Sequence, residues 1–265
     1  MYLLLEQIPL YGTLILSVIS GFLYHEVTAG KGRLVQKKVH SLLIPYLIAN
    51  IIVVIPVGLS YLFFEYNFLN RLTFGPELLL DGIFAFSTAP VNPPTYFIRD
   101  LFVIFLIVEV LRRKNLYLFA GLILLTLFGE LLLRFDILAL FVCGALLSRF
   151  KTLYTHLLWP SVITCLLLSL LLSAFEMPYD KHLISILFFL LVINWKISFK
   201  DVGGYSYTLH LYHSPVIVVV FPILGAYISN PYLQVAGQLI LVFSLTYIIY
   251  LLIRKLKLNI MIGGR

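Results

Sequence analysis

Pro90-Val-Asn-Pro-Pro-Thr-Tyr-Phe-Ile-Arg-Asp-Leu-Phe-Val103 joins a proline-rich loop directly to an apolar helix that carries Arg99 and Asp100 in its second turn. A charged side chain at the centre of a lipid-facing helix costs about 2.5 to 3.5 kcal/mol on insertion scales, so such residues usually face a protein interior or a wet cavity. The stretch therefore predicts a membrane helix whose charged pair lies close to the functional site.

The composition of the chain indicates a membrane protein. Of its 265 residues 61% are hydrophobic and only 12% are charged, and the mean hydropathy is +1.02, far above the soluble range. Apolar runs of about 17 to 22 residues recur from end to end, and no polar segment is long enough for a separate soluble domain. We therefore predict an all-α, polytopic helical bundle with one transmembrane domain over residues 1–265.

The positions of the lysines and arginines test a proposed membrane topology, because cytoplasmic loops hold an excess of these residues. We predict nine spans: Ile8–Tyr24, Ser41–Phe64, Thr95–Leu111, Leu116–Leu133, Ile137–Leu147, Leu153–Phe175, Leu183–Trp195, Tyr205–Leu224 and Tyr232–Ile253. With the N-terminus outside and the C-terminus in the cytoplasm, 15 of the 19 lysines and arginines fall on the cytoplasmic side. The net charge of +7 thus follows from the membrane topology, and we expect a lipid bilayer as partner and no nucleic acid.

Several breaks in the helical pattern predict local features. Pro45 and Pro56 lie within the second span, where they interrupt the backbone hydrogen-bond ladder, so we expect kinks and neighbouring groups that satisfy the freed carbonyls. The mixed segment 65–94 predicts an outer loop with a short interfacial helix. Thr95, after two prolines, is the expected N-cap of the third span.

Two readings of the charged pair stay open. Arg99 lies only about 6 Å from the outer end of its helix and is shallow enough to snorkel toward water, but Asp100 has a shorter side chain and needs a partner. Adjacent helical residues point about 100° apart, so we expect each charge to find its partner on another helix. Glu130, Arg134 and Asp136 are the candidates at the same level.

The eighth span carries a polar stripe. Ser206, His210 and His213 recur at spacings of four and three, which places them on one helix face. His213 lies roughly 14 Å deep, near the bilayer midplane, where a neutral imidazole can take a proton from a hydroxyl and later release it. The alternative is a histidine that only forms an interhelical hydrogen bond. Pro215 frees the carbonyl of Leu211, and we expect this opening to admit water or substrate. Two histidines without a third ligand do not predict a zinc site.

The inner loop holds the basic residues Lys31, Arg33, Lys37 and Lys38 beside two glycines. Their charges suit a phosphorylated cytoplasmic cofactor, and we assign them to cofactor binding. The positive-inside rule explains the same charges without any ligand.

Four blocks of this sequence resemble the membrane-bound acyltransferase type 3 family. They are Ser20-Gly-Phe22 at the end of a span, Leu42-Leu-Ile-Pro-Tyr46 after the basic loop, Pro94-Thr-Tyr-Phe-Ile-Arg-Asp-Leu101, and Ser206-Tyr-Thr-Leu-His-Leu-Tyr-His-Ser-Pro215. Their order and rough spacing also fit, and together they extend over nearly the whole chain.

The resemblance implies a ten-helix enzyme of the bacterial inner membrane. It implies an acyltransferase that moves an acyl group, usually acetyl, from cytoplasmic acyl-CoA to a hydroxyl of an extracytoplasmic sugar or surface polysaccharide precursor. The Arg-Asp pair makes this chain most similar to the sugar O-acetylases. Acetyl-CoA would be a co-substrate, with no permanently bound cofactor and no metal. The catalytic residues carried over are Arg99, Asp100 and His213, and those assigned to substrate binding are Asn92, Tyr96, Ser206, His210 and Tyr212.

This chain departs from the family pattern at two places. The Arg and His that the family carries on its first helix would precede residue 1, and nine spans with an outside N-terminus are what absence of that helix would produce. Tyr96 stands where most members have Trp. Two other functions stay open: a transporter or flippase that binds a polar substrate without covalent chemistry, and an inactive, N-terminally truncated family member.

Overall fold

The computed structural model describes residues 8–28, 32–64, 75–114, 116–150, 158–174, 180–193 and 202–264. Within these ranges every regular element is a helix and there is no strand, which confirms the all-α prediction. The α-helices are α1 (Ile8–Leu23), α2 (Leu34–Lys38), α3 (Ile44–Phe64), α4 (Pro76–Phe84), α5 (Tyr96–Arg113), α6 (Leu116–Phe128), α7 (Phe135–Arg149), α8 (Leu158–Ala174), α9 (Asp180–Val192), α10 (Gly203–Tyr227) and α11 (Pro231–Lys255).

Three helical stretches in the described part of the chain are long and apolar enough to cross a membrane: Leu34–Phe63, Gly203–Tyr227 and Pro231–Lys255. Each exceeds the roughly 20 residues that a hydrocarbon core of about 30 Å requires. Two shorter apolar helices, Leu116–Leu127 and Lys181–Val192, accompany them. These helices indicate a membrane protein, while the nine-span topology and its orientation stay predictions.

The first of these stretches begins earlier than the sequence pattern predicts. α2 is followed by a π-helical turn, Val39–Leu43, which leads directly into α3. Lys37 and Lys38 therefore lie on a helix, and the prediction that they belong to the inner loop is wrong. The reason is that no proline or glycine lies between Arg33 and Pro45, while the apolar residues of α2 and the π-helical turn find a core to enter.

The backbone groups into two compact units, one of Met1–Leu34 with Arg134–Ser198 and the other of Val35–Leu133 with Phe199–Arg265. The prediction of a single domain over residues 1–265 stays a prediction. In the first unit α1 packs on α7 and α9, and α8 packs on α9. Its core is the buried set Leu14, Val18, Phe22, Leu140, Phe189 and Leu190.

Glycines allow α1 and α7 to touch through their backbones. A Cβ added at Gly21 would overlap the carbonyl of Phe141, and one added at Gly144 would overlap the carbonyl of Val18. Small residues at crossing points are the usual device for close packing of membrane helices. The crossing of α1 and α7 is thus fixed by two glycines, one on each helix.

In the second unit α3 packs on α4, α5 on α6, and α10 on α11. Pro45 has no N–H to offer the carbonyl of Ser41 one turn earlier, and the Tyr207 hydroxyl of α10 donates to that carbonyl at 3.0 Å. A 3-10 turn, Asn259–Ile262, follows α11 and packs against the same region. It ends at Gly263, whose φ of 70° needs glycine and whose Cα lies against the backbone of Ser41.

Candidate functional site

Arg99 and Asp100 form a buried ion pair at the start of α5. Their side chains are only 5% and 0% exposed, and Nη1 of Arg99 lies 2.8 Å from Oδ1 of Asp100. The expectation that these neighbours do not pair is wrong, because the long Arg99 side chain curls back to its neighbour across the 100° between them. The snorkelling interpretation is wrong too, since Arg99 is shielded from solvent.

The pair also binds the backbone that follows α6. Nη1 of Arg99 donates to the carbonyl of Leu131 at 2.8 Å, Nη2 donates to the carbonyl of Glu130, and the Leu133 N–H donates to Oδ1 of Asp100 at 3.1 Å. These three hydrogen bonds are to main-chain groups, whereas the sequence pattern predicts side-chain partners among Glu130, Arg134 and Asp136. The segment is held from its other side as well, where the Glu130 N–H donates to the carbonyl of Phe86 at 2.6 Å.

His213 on α10 is fixed in one tautomer by its own helix. Its Nδ1 lies 2.8 Å from the carbonyl oxygen of Leu209 and 3.2 Å from that of His210. A carbonyl can only accept, so Nδ1 carries the proton of the neutral ring and Nε2 keeps the lone pair. The side chain is half-buried. His213 therefore presents a base at Nε2, which is the property that proton abstraction from a hydroxyl requires.

His210 continues the stripe, whereas Ser206 is exposed. The rings of His210 and His213 are 6.5 Å apart, and the ring of His210 meets Phe97 of α5 edge-on at 6.2 Å. Nε2 of His210 is buried and has no hydrogen-bond partner within the described residues. The two histidines thus lie next to each other on α10, and His210 faces the helix that carries the charged pair.

Asn92 closes the opening that Pro215 creates in α10. Its Nδ2 donates to the carbonyl of Leu211 at 2.7 Å, the carbonyl that lacks a helical donor because Pro215 has no N–H. The main-chain N–H of Asn92 donates to Oδ1 of Asn50 at 3.1 Å. The expectation that water or substrate enters at the Leu211 carbonyl is therefore wrong, because a side chain of the protein already binds it.

Thr95 belongs to the same buried network. Its hydroxyl donates to the carbonyl of Asn92 at 2.7 Å, and Nδ2 of Asn50 donates to its oxygen at 3.1 Å. Thr95 occupies the N-cap position of α5 but makes no side-chain cap hydrogen bond. The predicted capping role is wrong because the short 3-10 helix Pro93–Thr95 turns the hydroxyl back toward Asn92.

Three buried polar atoms of this unit have no partner within the described part of the chain: the Tyr46 hydroxyl, Oδ1 of Asn92 and Nε2 of His210. Tyr46 and Asn92 are each only 1% exposed. A buried polar atom without a partner costs about 1 to 3 kcal/mol, so such atoms mark where an outside hydroxyl or water fits.

Sequence reasoning missed Tyr46 and Asn50 as site residues. Tyr46 stood in one of the blocks that carry the family resemblance, and Asn50 is a polar residue in the middle of an apolar span, which is itself a functional signal. Both are buried, at 1% and 0% exposure. Only the fold shows that the Asn50 side chain binds both the carbonyl of Tyr46 and the main-chain N–H of Asn92.

The other predicted site residues lie in varied surroundings. Tyr96 is half-buried at the start of α5, and the Tyr212 hydroxyl donates to the carbonyl of Met261 at 3.4 Å. Lys38 lies over the ring of Phe105 at 4.0 Å, while Lys37 and Arg33 are exposed.

Lys31 falls outside the described residues. No group of three or more metal-ligating side chains occurs among the residues that the structure describes.

Comparison with known proteins adds no relative: no protein-family model matches the chain, and neither the curated proteins nor the solved structures include a match.

Proposed function

We propose that this chain is a membrane O-acyltransferase that moves an acetyl or other acyl group from cytoplasmic acyl-CoA to a hydroxyl of an extracytoplasmic sugar or polysaccharide precursor. The observation that carries the proposal is His213, whose Nδ1 is tied to its own helix so that Nε2 is left as a base. The resemblance of the four sequence blocks supports the reaction type, and the bacterial inner membrane is the proposed location.

In the proposed reaction Nε2 of His213 takes the proton of the acceptor hydroxyl. The hydroxyl oxygen forms a bond to the thioester carbonyl carbon, the C–S bond breaks, and the leaving sulfur takes up the proton that the imidazolium releases, which restores the neutral ring. General base catalysis of this kind contributes about 10² to 10⁴-fold to a rate. The geometry supports this role because the imidazole is already in the required tautomer before any acceptor binds.

The unpartnered polar atoms support an acceptor that is rich in hydroxyls. Oδ1 of Asn92 accepts a hydrogen bond, and the Tyr46 hydroxyl and Nε2 of His210 can each donate or accept one. A sugar offers hydroxyls that do both. Asn92 is oriented for this by its Nδ2, which is held by the carbonyl of Leu211. We therefore assign Tyr46 to the acceptor site, together with Asn92 and His210.

For Arg99 and Asp100 we propose a different role from the catalytic one that the family resemblance implies. Both hydrogen-bond to each other and to the backbone after α6, so direct contact with a substrate would have to displace these bonds. We propose that they hold the wall of the acceptor site in place and set its electrostatic potential. We propose that four basic residues attract the phosphates of the acyl-CoA donor. They are Lys37 and Lys38 of α2, together with Lys31 and Arg33.

The test uses membranes that contain the full chain, labelled acetyl-CoA and purified surface polysaccharide. His213→Gln is expected to reduce label transfer at least 100-fold at normal protein level, because Gln has no basic nitrogen. His40→Gln is the matched control, since His40 is exposed and has no assigned role. Transfer by His213→Gln at the wild-type rate would refute the role of His213.

The same membranes separate the transferase from a transporter. A transporter or flippase would move a polar substrate without consuming acyl-CoA. Wild-type membranes that consume no acyl-CoA but still carry labelled sugar across would therefore replace the proposed function with transport.

A further inference from the structure

A second imidazole is held in place in the other compact unit, at a site that the proposed function does not use. Nδ1 of His25 lies 3.0 Å from Oγ of Ser148, and the Ser148 hydroxyl lies 2.8 Å from Oε1 of Glu26. His25 and Glu26 lie on the π-helical turn Tyr24–Thr28 that follows α1, and Ser148 is in the last turn of α7. The three side chains meet across more than 120 residues of sequence.

The hydrogens of this cluster can be assigned from its donors and acceptors. A serine hydroxyl has one hydrogen, and Ser148 gives it to the carboxylate of Glu26, which can only accept. The Ser148 oxygen can then only accept from the ring, so Nδ1 of His25 is the donor. In the neutral ring the lone pair therefore lies on Nε2, and the hydrogen bonds from His25 to Ser148 and from Ser148 to Glu26 hold the ring in this tautomer.

In this cluster Ser148 is buried in a packed helix, whereas His25 and Glu26 are accessible to solvent. Ser148 is 4% exposed, and its helix touches α1 through Gly144 and Gly21. His25 and Glu26 are exposed. His25 and Glu26 lie on a π-helical turn, and single π-helical turns within helices are frequently found at functional sites.

The simpler interpretation is a structural clasp that fastens the π-helical turn to α7. A clasp would need only the bond between Ser148 and Glu26, whereas here a further hydrogen bond fixes an exposed imidazole in one tautomer. The two interpretations differ in one respect that can be measured. A clasp needs only a hydrogen-bond donor at position 25, while a base needs the lone pair on Nε2.

We propose that His25 is a general base that activates water against an acyl thioester, with Ser148 and Glu26 as its positioning residues. Nε2 of His25 takes a proton from water as the water oxygen bonds to the carbonyl carbon of the thioester. The C–S bond then breaks and the imidazolium returns the proton to the leaving sulfur, which yields a carboxylic acid and a thiol. The choice of an acyl thioester as the substrate class rests on the proposed function, while the reaction goes beyond it.

The first test measures the reactivity of the ring and needs no substrate. The purified full chain in detergent is treated with diethyl pyrocarbonate, which reacts with neutral imidazole, and modification is followed by peptide mass spectrometry. His25 is expected to react several-fold faster than the exposed His40, and Ser148→Ala is expected to lower the His25 rate to that of His40. Equal His25 rates in the wild type and Ser148→Ala would overturn the positioning role of Ser148.

The second test measures release of free thiol from acetyl-CoA without any sugar acceptor. His25→Asn keeps an N–H that can donate to Ser148 but has no base, and thiol release is expected to fall at least 100-fold. Release at the wild-type rate by His25→Asn, or no release by the wild type, would overturn the inference. Transfer to polysaccharide is assayed in parallel, so that loss of transfer with persistent His25-dependent release would refute only the proposed function.

Discussion

Asp100→Asn tests the buried ion pair, because it removes one charge and keeps the shape of the side chain. Unit charges 2.8 Å apart attract by about 6 kcal/mol at an effective dielectric constant of 20. Part of this is offset because Arg99 keeps its two main-chain acceptors. Removal of one partner from a buried pair typically destabilises by about 3 to 5 kcal/mol, and we expect a loss in that range.

The assay is unfolding of the purified chain in mixed micelles by titration with a denaturing detergent, followed by circular dichroism. Asp81→Asn is the matched control. Oδ1 of Asp81 accepts from the N–H groups of Ser87 and Thr88 in an exposed turn, and the amide oxygen of Asn can accept the same bonds. We expect this control to lose less than about 1 kcal/mol.

A double-mutant cycle isolates the interaction between the two charges. Arg99→Gln alone leaves Asp100 buried and charged, whereas Arg99→Gln with Asp100→Asn leaves no charge at all. The double variant is therefore expected to lose at least about 2 kcal/mol less than the sum of the two single losses. Losses that add within about 0.5 kcal/mol, or a loss below about 1 kcal/mol for Asp100→Asn, would refute the electrostatic reasoning.

Three further predictions concern local structure. Gly144→Ala is expected to destabilise by about 1 to 3 kcal/mol or more in the same unfolding assay, because its Cβ would overlap the carbonyl of Val18; a neutral effect would contradict the backbone contact. Asn230→Ala is expected to cost about 1 kcal/mol, because the Asn230 side chain caps α11 by accepting from two main-chain N–H groups; unchanged unfolding would show that the cap is dispensable. Burial would by itself raise the pKa of Asp136, but the hydrogen bond and charge of Arg134, with His182, hold that pKa below its ordinary value of 3.8. The stabilisation that the ionised Asp136 carboxylate contributes is therefore complete above pH 3.8, and it is lost as the pH falls through the lower pKa of the folded protein. The difference in unfolding free energy between wild type and Asp136→Asn is expected to shrink below pH 3.8. A difference that grows there would contradict the assignment.

The helical class could be predicted from the sequence because it depends on local and compositional properties. Long apolar runs can satisfy their backbone groups in a membrane only as helices or closed barrels, and their length favours helices. The helix positions of His210, His213 and Arg99 followed from the same pattern. The spacing of the two histidines was sufficient to place them on one face.

The partners of those residues could not be predicted, because they depend on contacts between distant parts of the chain. Asn92 reaches the carbonyl of Leu211 across 119 residues, and Ser148 reaches Glu26 across 122. Even the neighbours Arg99 and Asp100 were misjudged. The angle of about 100° between adjacent helical residues describes the directions in which their side chains leave the backbone. It does not describe how far a long, flexible side chain reaches when it is buried away from solvent.

The sequence by itself determined that this protein is helical and suited to a membrane, and where its costly polar residues lie, because hydrophobicity and periodicity are properties of each segment. Only the tertiary structure decided what those residues do. In it, Nδ1 of His213 donates a hydrogen bond to its own helix, and Asn92 binds the carbonyl that Pro215 leaves without a donor. Arg99 forms an ion pair with Asp100. A buried polar group must find its partner wherever the packing of helices brings one.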